Sequence, residues 1–266
     1  MIWGEIAKAL DVSLCLALII RLLLLRLHRV YVIFCLFLLS ELVGSLLADL
    51  KFLRDDWLPD YRIIWMIAAP VIWVFMLWTV YALLDAVLAN LPGVLRFSRK
   101  LLNGAFISAG ILALLTAQTE FSVSGAAAYV DDPIAQAVAI GLVLDRVLST
   151  VALLVLVSIL CFILWFPVEI SRNLIIFSTG FLVYFASKTA LELARSFSSR
   201  EILQLTSNLI MFISAACFAY WAMFISREGE IVPVRIGHSW RTREQERLIG
   251  QLEAMNAALL RSAIRR

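Results

Sequence analysis

The chain has 266 residues, of which 62% are hydrophobic and 16% charged, with a mean hydropathy of +0.93 and a net charge of +3. Soluble domains are about half apolar and a quarter charged, so this composition excludes an ordinary soluble fold. The alternating ten-residue segments of an outer-membrane barrel are absent. Long apolar runs instead point to helices that cross ~30 Å of hydrocarbon.

Seven spans are predicted in chain order, at 9–27, 29–50, 62–88, 101–119, 134–166, 169–193 and 201–226. The first follows Glu5 and Asp11 and has no small-residue cleavage site after it, so it reads as a retained helix and not a signal peptide. Only "RLHR" separates it from the second, which predicts a tight helical hairpin. Each of these helices carries one deep charge, Arg21 and Glu41. The antiparallel hairpin is expected to bring them to similar depth. Glu41 is then either an ion or proton site or the partner that fastens Arg21, while Arg21 could also snorkel to the headgroups.

The third span holds Trp65, Trp73, Trp78, Phe75 and Tyr81, read as interface and packing aromatics, with Pro70 in mid-span and Asp85 near the inner end. Small residues recur at four-residue spacing: Gly44 and Ala48, Gly104 and Ser108, and Ala186, Ala190 and Ala194. Such faces allow close helix contact.

The fifth run has 33 residues, about 50 Å of helix and more than a bilayer needs. Residues 147–166 are a complete charge-free span, which places Asp145 and Arg146 at the outer interface. Lys188, Glu192 and Arg195 follow the core of the sixth span at i, i+4 and i+7, the spacing of a solvated face. Helices five and six are thus expected to project beyond the outer face. The apolar "PIAQAVAIGLVL" above Asp145 then needs cover.

Basic residues set the orientation. Arg26 and Arg29, then Arg96, Arg99 and Lys100, then Arg172, and eight arginines after Ser226 lie on one side. The loop "TEFSVSGAAAYVDDP" on the other side has no Lys or Arg. The N-terminus is therefore expected outside and the C-terminus in the cytoplasm. The expected organisation is a seven-helix transmembrane domain over 1–226, an irregular linker over 227–240 and a cytoplasmic helix over 241–266. In that helix Leu248, Leu252, Met255 and Leu259 form a short coiled-coil-like association seam. It could pair with a second copy, lie on the membrane surface or dock on a partner.

Cys15, Cys35, Cys161 and Cys217 all fall in apolar runs without a CxxC and read as free, buried cysteines. With His28 and His238 alone, no haem, zinc or di-iron ligand set can be assembled. The seventh span has no lysine for a retinal Schiff base, and no Walker loop or GxSxG occurs. No catalytic residue, cofactor or metal is expected, and nucleic acid is not an expected partner. The expectation is a non-enzymatic, multi-pass protein of a bacterial inner membrane that works through association. It would be either a sensor or transducer module or a structural subunit, partnered by lipid and by copies of itself or other membrane subunits. The alternative is a small transporter or channel using Glu41. The arrangement looks like the membrane input half of seven-helix bacterial sensors, without their output domain, and no motif ties it to a family.

Overall fold

The structure is a computed structural model that describes residues 2–53, 61–123, 133–166, 169–196, 200–235 and 242–264. It is all-α in class and 92% helical. The helices are α1 (Ile2–Leu24), α2 (Val32–Leu53), α3 (Tyr61–Val87), α4 (Pro92–Val123), α5 (Pro133–Trp165), α6 (Arg172–Ser196), α7 (Arg200–Phe224), α8 (Glu228–Ile231) and α9 (Thr242–Ile264). Two short strands, β1 (Glu169–Ser171) and β2 (Pro233–Arg235), pair antiparallel. Among the described residues, four segments are long and apolar enough to cross a membrane: Arg62–Val87, Gln136–Trp165, Arg172–Ala194 and Leu205–Phe224. Helix α2 adds a shorter apolar run, Val32–Leu47. Helix α1 is interrupted by Glu5, Lys8, Asp11 and Arg21, and α4 opens with Arg96, Arg99 and Lys100. The loops 54–60 and 124–132, which bear on the orientation, lie outside the described residues.

Six helices close into a ring. Helix α1 packs on α7, α7 on α6, α6 on α5, α5 on α3, α3 on α2 and α2 on α1. Helix α4 is outside it, set against α5 with a slight contact to α3, and α9 lies on α4. One end of the ring carries the start of α1 and is called the N-terminal end below. The other carries α8, α9 and the β1–β2 pair and is called the tail end.

In lipid, helices gain little by hiding apolar surface from their surroundings, so association rests on close packing and polar contacts. The ring is filled accordingly. Trp221, Phe37, Phe177, Phe181 and Phe185 are each less than 2% exposed, with Leu18, Leu22 and Leu38 among them. Phe34 meets Phe177, Phe181 and Trp221 edge-on at centroid distances of 4.6, 5.5 and 5.1 Å. The Trp221 indole lies against Gly180, where any Cβ would collide with it. A glycine is required there by space.

The α1–α2 hairpin forms as expected. Arg26 takes a left-handed conformation (φ 57°) and its N–H closes on the Leu23 carbonyl at 3.0 Å, ending α1. A single 3₁₀ turn, Leu27–Arg29, leads into α2 and buries Leu27. The hairpin register is fixed by Cys15 Sγ, which donates to the Leu38 carbonyl at 3.5 Å. The expected run of α5 is continuous, and part of its apolar start is covered from within the chain, while Leu142 stays exposed. Trp65 of α3 seats against Gly141, and Ala113 of α4 packs with Val143.

Part of the expected linker is ordered. Helix α8 and strand β2 occupy residues 228–235, with Ile170 opposite Val234 in the strand pair. Asn173 at the start of α6 holds this segment: its Nδ2 donates to the Ser226 carbonyl at 2.8 Å and its Oδ1 accepts from Ser226 N–H at 3.3 Å. Residues 236–240, with His238, lie outside the described residues.

Candidate functional site: a charged cavity in the helix ring

Charged side chains that lie far apart in sequence meet at the N-terminal end of the ring. They line a cavity of about 520 Å³ bounded by α1, α2, α3, α5, α6 and α7. Asp145 of α5 is its best-ordered member. Its Oδ1 accepts from Lys188 Nζ of α6 at 2.8 Å and from Trp73 Nε1 of α3 at 2.7 Å. Glu192, one turn beyond Lys188, stands 4.0 Å from the same ammonium. The three charged side chains are only 11–15% exposed. Removing two ions from water costs several kcal/mol each, and a direct contact with further hydrogen bonds is what offsets it.

Glu41 of α2, Asp11 and Lys8 of α1, and Tyr184 of α6 complete the polar lining, with Trp65 and Trp73 on one wall. The two indoles stand edge to face at 6.3 Å. Asp11 is hydrogen-bonded to Ser214 of α7, yet its Oδ1 is enclosed without a hydrogen-bond partner among the described residues. Glu41 makes no hydrogen bond or salt bridge among the described residues and faces the cavity. Counting turns from the Phe37–Phe181 contact puts Glu41 about one turn nearer the tail end than Lys188. On the tail side, the layer of Phe34, Phe37, Phe177, Phe181 and Trp221 crosses the ring, with a separate cavity of about 320 Å³ beside β1. The cavity is therefore blind in that direction.

The residues singled out by sequence are distributed differently from expectation. Lys188 and Glu192 turn into the ring instead of presenting a solvated face, because α6 is flanked by α5 and α7 and its polar side meets Asp145. The Arg195 side chain lies outside the described residues. The Arg146 backbone carbonyl accepts from Thr150 Oγ1 at 2.8 Å. Arg21 and Glu41 do not come together. The register places Cys15 opposite Leu38, so Glu41 lies level with Asp11 and Val12, and Arg21 is ten residues, about 15 Å, further along α1. Arg21 is exposed and donates to the Ile225 carbonyl at the end of α7, at 3.2 Å. Lys8, Asp11, Trp73 and Tyr184 join the site without having been assigned to it. Only Lys8 and Asp11 gave a usable sign, as two charges one turn apart that interrupt the apolar face of α1.

A second cavity of about 510 Å³ lies between α3, α4 and α5 and is almost wholly apolar, with Ser98, Ser108 and Ser158 as its polar members. Beside its tail end Arg99 grips Asp85 through two hydrogen bonds of 2.8 and 2.6 Å, tying α4 to α3. Gly44 meets Ala68 and Ile72 of α3, whereas Gly104 faces open space. Cys15 and Cys217 are buried and free, as expected, but Cys161 is exposed.

The tail helix docks on its own chain. Asn256 Oδ1 accepts from Gly93 N–H at 2.5 Å and from Val94 N–H at 3.4 Å, satisfying orphan donors at the start of α4. Gly93 lies beneath the Asn256 backbone, where a Cβ would collide. Of the expected seam, Leu252 is buried, Leu259 packs on the core, Leu248 is half-buried and Met255 is 45% exposed. The docked stripe is thus 252, 256 and 259, the i, i+4, i+7 spacing of a helix lying on one neighbour. Tyr31 adds a further tie at the tail end by donating to Glu230 Oε2 at 2.5 Å, with Asn173 Nδ2 on the same oxygen at 3.3 Å.

Among the described residues no three His, Cys, Asp or Glu side chains are grouped to hold a metal ion. No family model, no curated protein and no solved structure matches this chain.

Proposed function

We propose that the chain is a seven-helix membrane module, with α1–α7 as its spans, the N-terminus outside and α9 in the cytoplasm, and that it acts without catalysis as a sensor or transducer. One observation carries this reading: a charged, ligand-sized cavity that is blind on the side facing the tail. A closed aromatic floor suits reception of a ligand better than passage of one. The output element in this reading is α9, held to α4 by a narrow stripe and one side-chain cap, and so able to exchange its own chain for a second copy or a partner. The basic residues of the tail end support the orientation.

The test is native mass measurement of the full chain taken from bacterial inner membranes into lipid nanodiscs, alongside Gly93→Val. The added side chain should displace α9. A partner or second copy retained by the wild type, and altered in amount by Gly93→Val, is the expected result. Strict monomers with no companion in both cases overturn the proposal.

The transporter reading keeps one supporting observation, the Glu41 carboxylate facing the cavity. Under it, proteoliposomes containing the wild type should carry a pH-dependent proton flux that Glu41→Gln abolishes. Absence of flux in the wild type removes it.

A further inference from the structure

We infer that the cavity at the N-terminal end binds a small organic cation, an ammonium group on an apolar or aromatic body. The inference rests on the cavity being a ligand site, as proposed above, and adds the chemistry of the ligand.

Size comes first. A volume of about 520 Å³ falls within the range of ~300–1,000 Å³ typical of small-molecule sites. Charge comes next. Three carboxylates, Asp11, Glu41 and Asp145, face the cavity against two ammonium groups, Lys8 and Lys188. Lys188 is already committed to Asp145 at 2.8 Å, with Glu192 behind it at 4.0 Å. Lys8 answers only one of the two carboxylates that remain in the lining, Glu41 and Asp11. These two groups sit level on adjacent antiparallel helices, by the Cys15–Leu38 register. An ammonium group placed beside Glu41 would have its carboxylate as acceptor, with the Asp11 charge close by, in a poorly solvated site. Such charge-assisted bonds are the strong ones.

The walls select an organic cation over an inorganic one. A bare metal ion needs several converging hard ligands, and no such group exists among the described residues. Trp65 and Trp73 instead present indole surface, with Trp73 anchored by its bond to Asp145. Indole faces attract cations and accept apolar bodies. Ile64, Ile72, Ile210 and Met211 add apolar surface for such a body.

Calorimetric titration of the full chain in nanodiscs with phenethylamine, 2-phenylethanol and 3-phenylpropionate tests this directly, since the three share a body and differ in head group. Phenethylamine should bind at least tenfold more tightly than either analogue. Glu41→Gln and Asp11→Asn should each weaken it tenfold or more, while circular dichroism and the melting temperature report that each variant is folded. Equal binding of the alcohol, or preference for the carboxylate, overturns the cation inference and leaves the cavity as a ligand site. Full-strength amine binding in both folded variants also overturns it. Binding of none of the three overturns it too, and the Gly93→Val mass measurement then decides the sensor reading independently.

Discussion

The two ends of the helix ring solve the same packing problem with opposite materials. At the tail end, aromatic side chains interlock and the polar groups are shared among neighbours: Tyr31, Asn173, Ser226 and Glu230 bond to one another. At the N-terminal end, charges are brought inside and a volume is left unfilled, with Asp11 Oδ1 lacking a partner. The tail end is not fully satisfied either: Trp221 Nε1 and Ser178 Oγ are enclosed without a hydrogen-bond partner among the described residues, and a cavity of about 320 Å³ lies beside β1. What sets the N-terminal end apart is charge: burying charged side chains around a cavity costs stability, and such sites are where function is looked for. The contrast separates an aromatic end from a charged end within one bundle.

Several substitutions should break or sharpen that contrast. The largest effect is expected at Lys188. Lys188→Met leaves Asp145 and Glu192 buried without their cation, a loss of about 3–5 kcal/mol. Thermal unfolding in nanodiscs should show it, and adding Asp145→Leu should recover much of the loss. If Lys188→Met melts like the wild type, the pair is not held inside the ring. Next comes Gly180→Ala, whose methyl collides with Trp221 and should cost about 1–3 kcal/mol, read in the same melting experiment. A neutral outcome would mean that the aromatic floor is looser than its contacts imply. Tyr31→Phe removes the bond to Glu230 while Asn173 remains, for about 1–2 kcal/mol. Its signature should be faster proteolysis around α8, not global unfolding. The smallest effect is expected for Asn256→Ala, about 0.5–2 kcal/mol from the lost cap on α4. Hydrogen exchange should rise at the amides of Gly93 and Val94 and along α9, with the charged cavity unaffected.

Much of the fold could be read from the chain because a bilayer imposes a length on every apolar run. The hairpin at "RLHR", the unbroken α5 and the helical tail follow from local signals. What could not be read is which helices are neighbours. Nothing in a periodicity says that α3 packs on α5 past α4, or that α1 closes on α7. The site depends on those neighbours. Asp145 and Lys188 were each recognisable as charges in apolar surroundings, but counting turns measures depth, not direction. A lysine and a glutamate at i and i+4 look the same on a solvated face as on one that meets a carboxylate across the ring. Depth itself was misjudged for Arg21 and Glu41, because each was counted from its own helix. One cross-helix contact, Cys15 to Leu38, resets that register.

The closure between α1 and α7 has a consequence for how the protein is made. Arg21 and Ile225 are 204 residues apart, so α1 is synthesised well before α7, its main neighbour. Until α7 is made, Lys8 and Asp11 lie in a ring that is still open on the α7 side. Halted translation anywhere before α7 would leave α1 without the neighbour that bears Ser214 and closes one wall of the charged cavity. Completion of the ring is in that sense a late step, one that only a chain carried through α7 can reach.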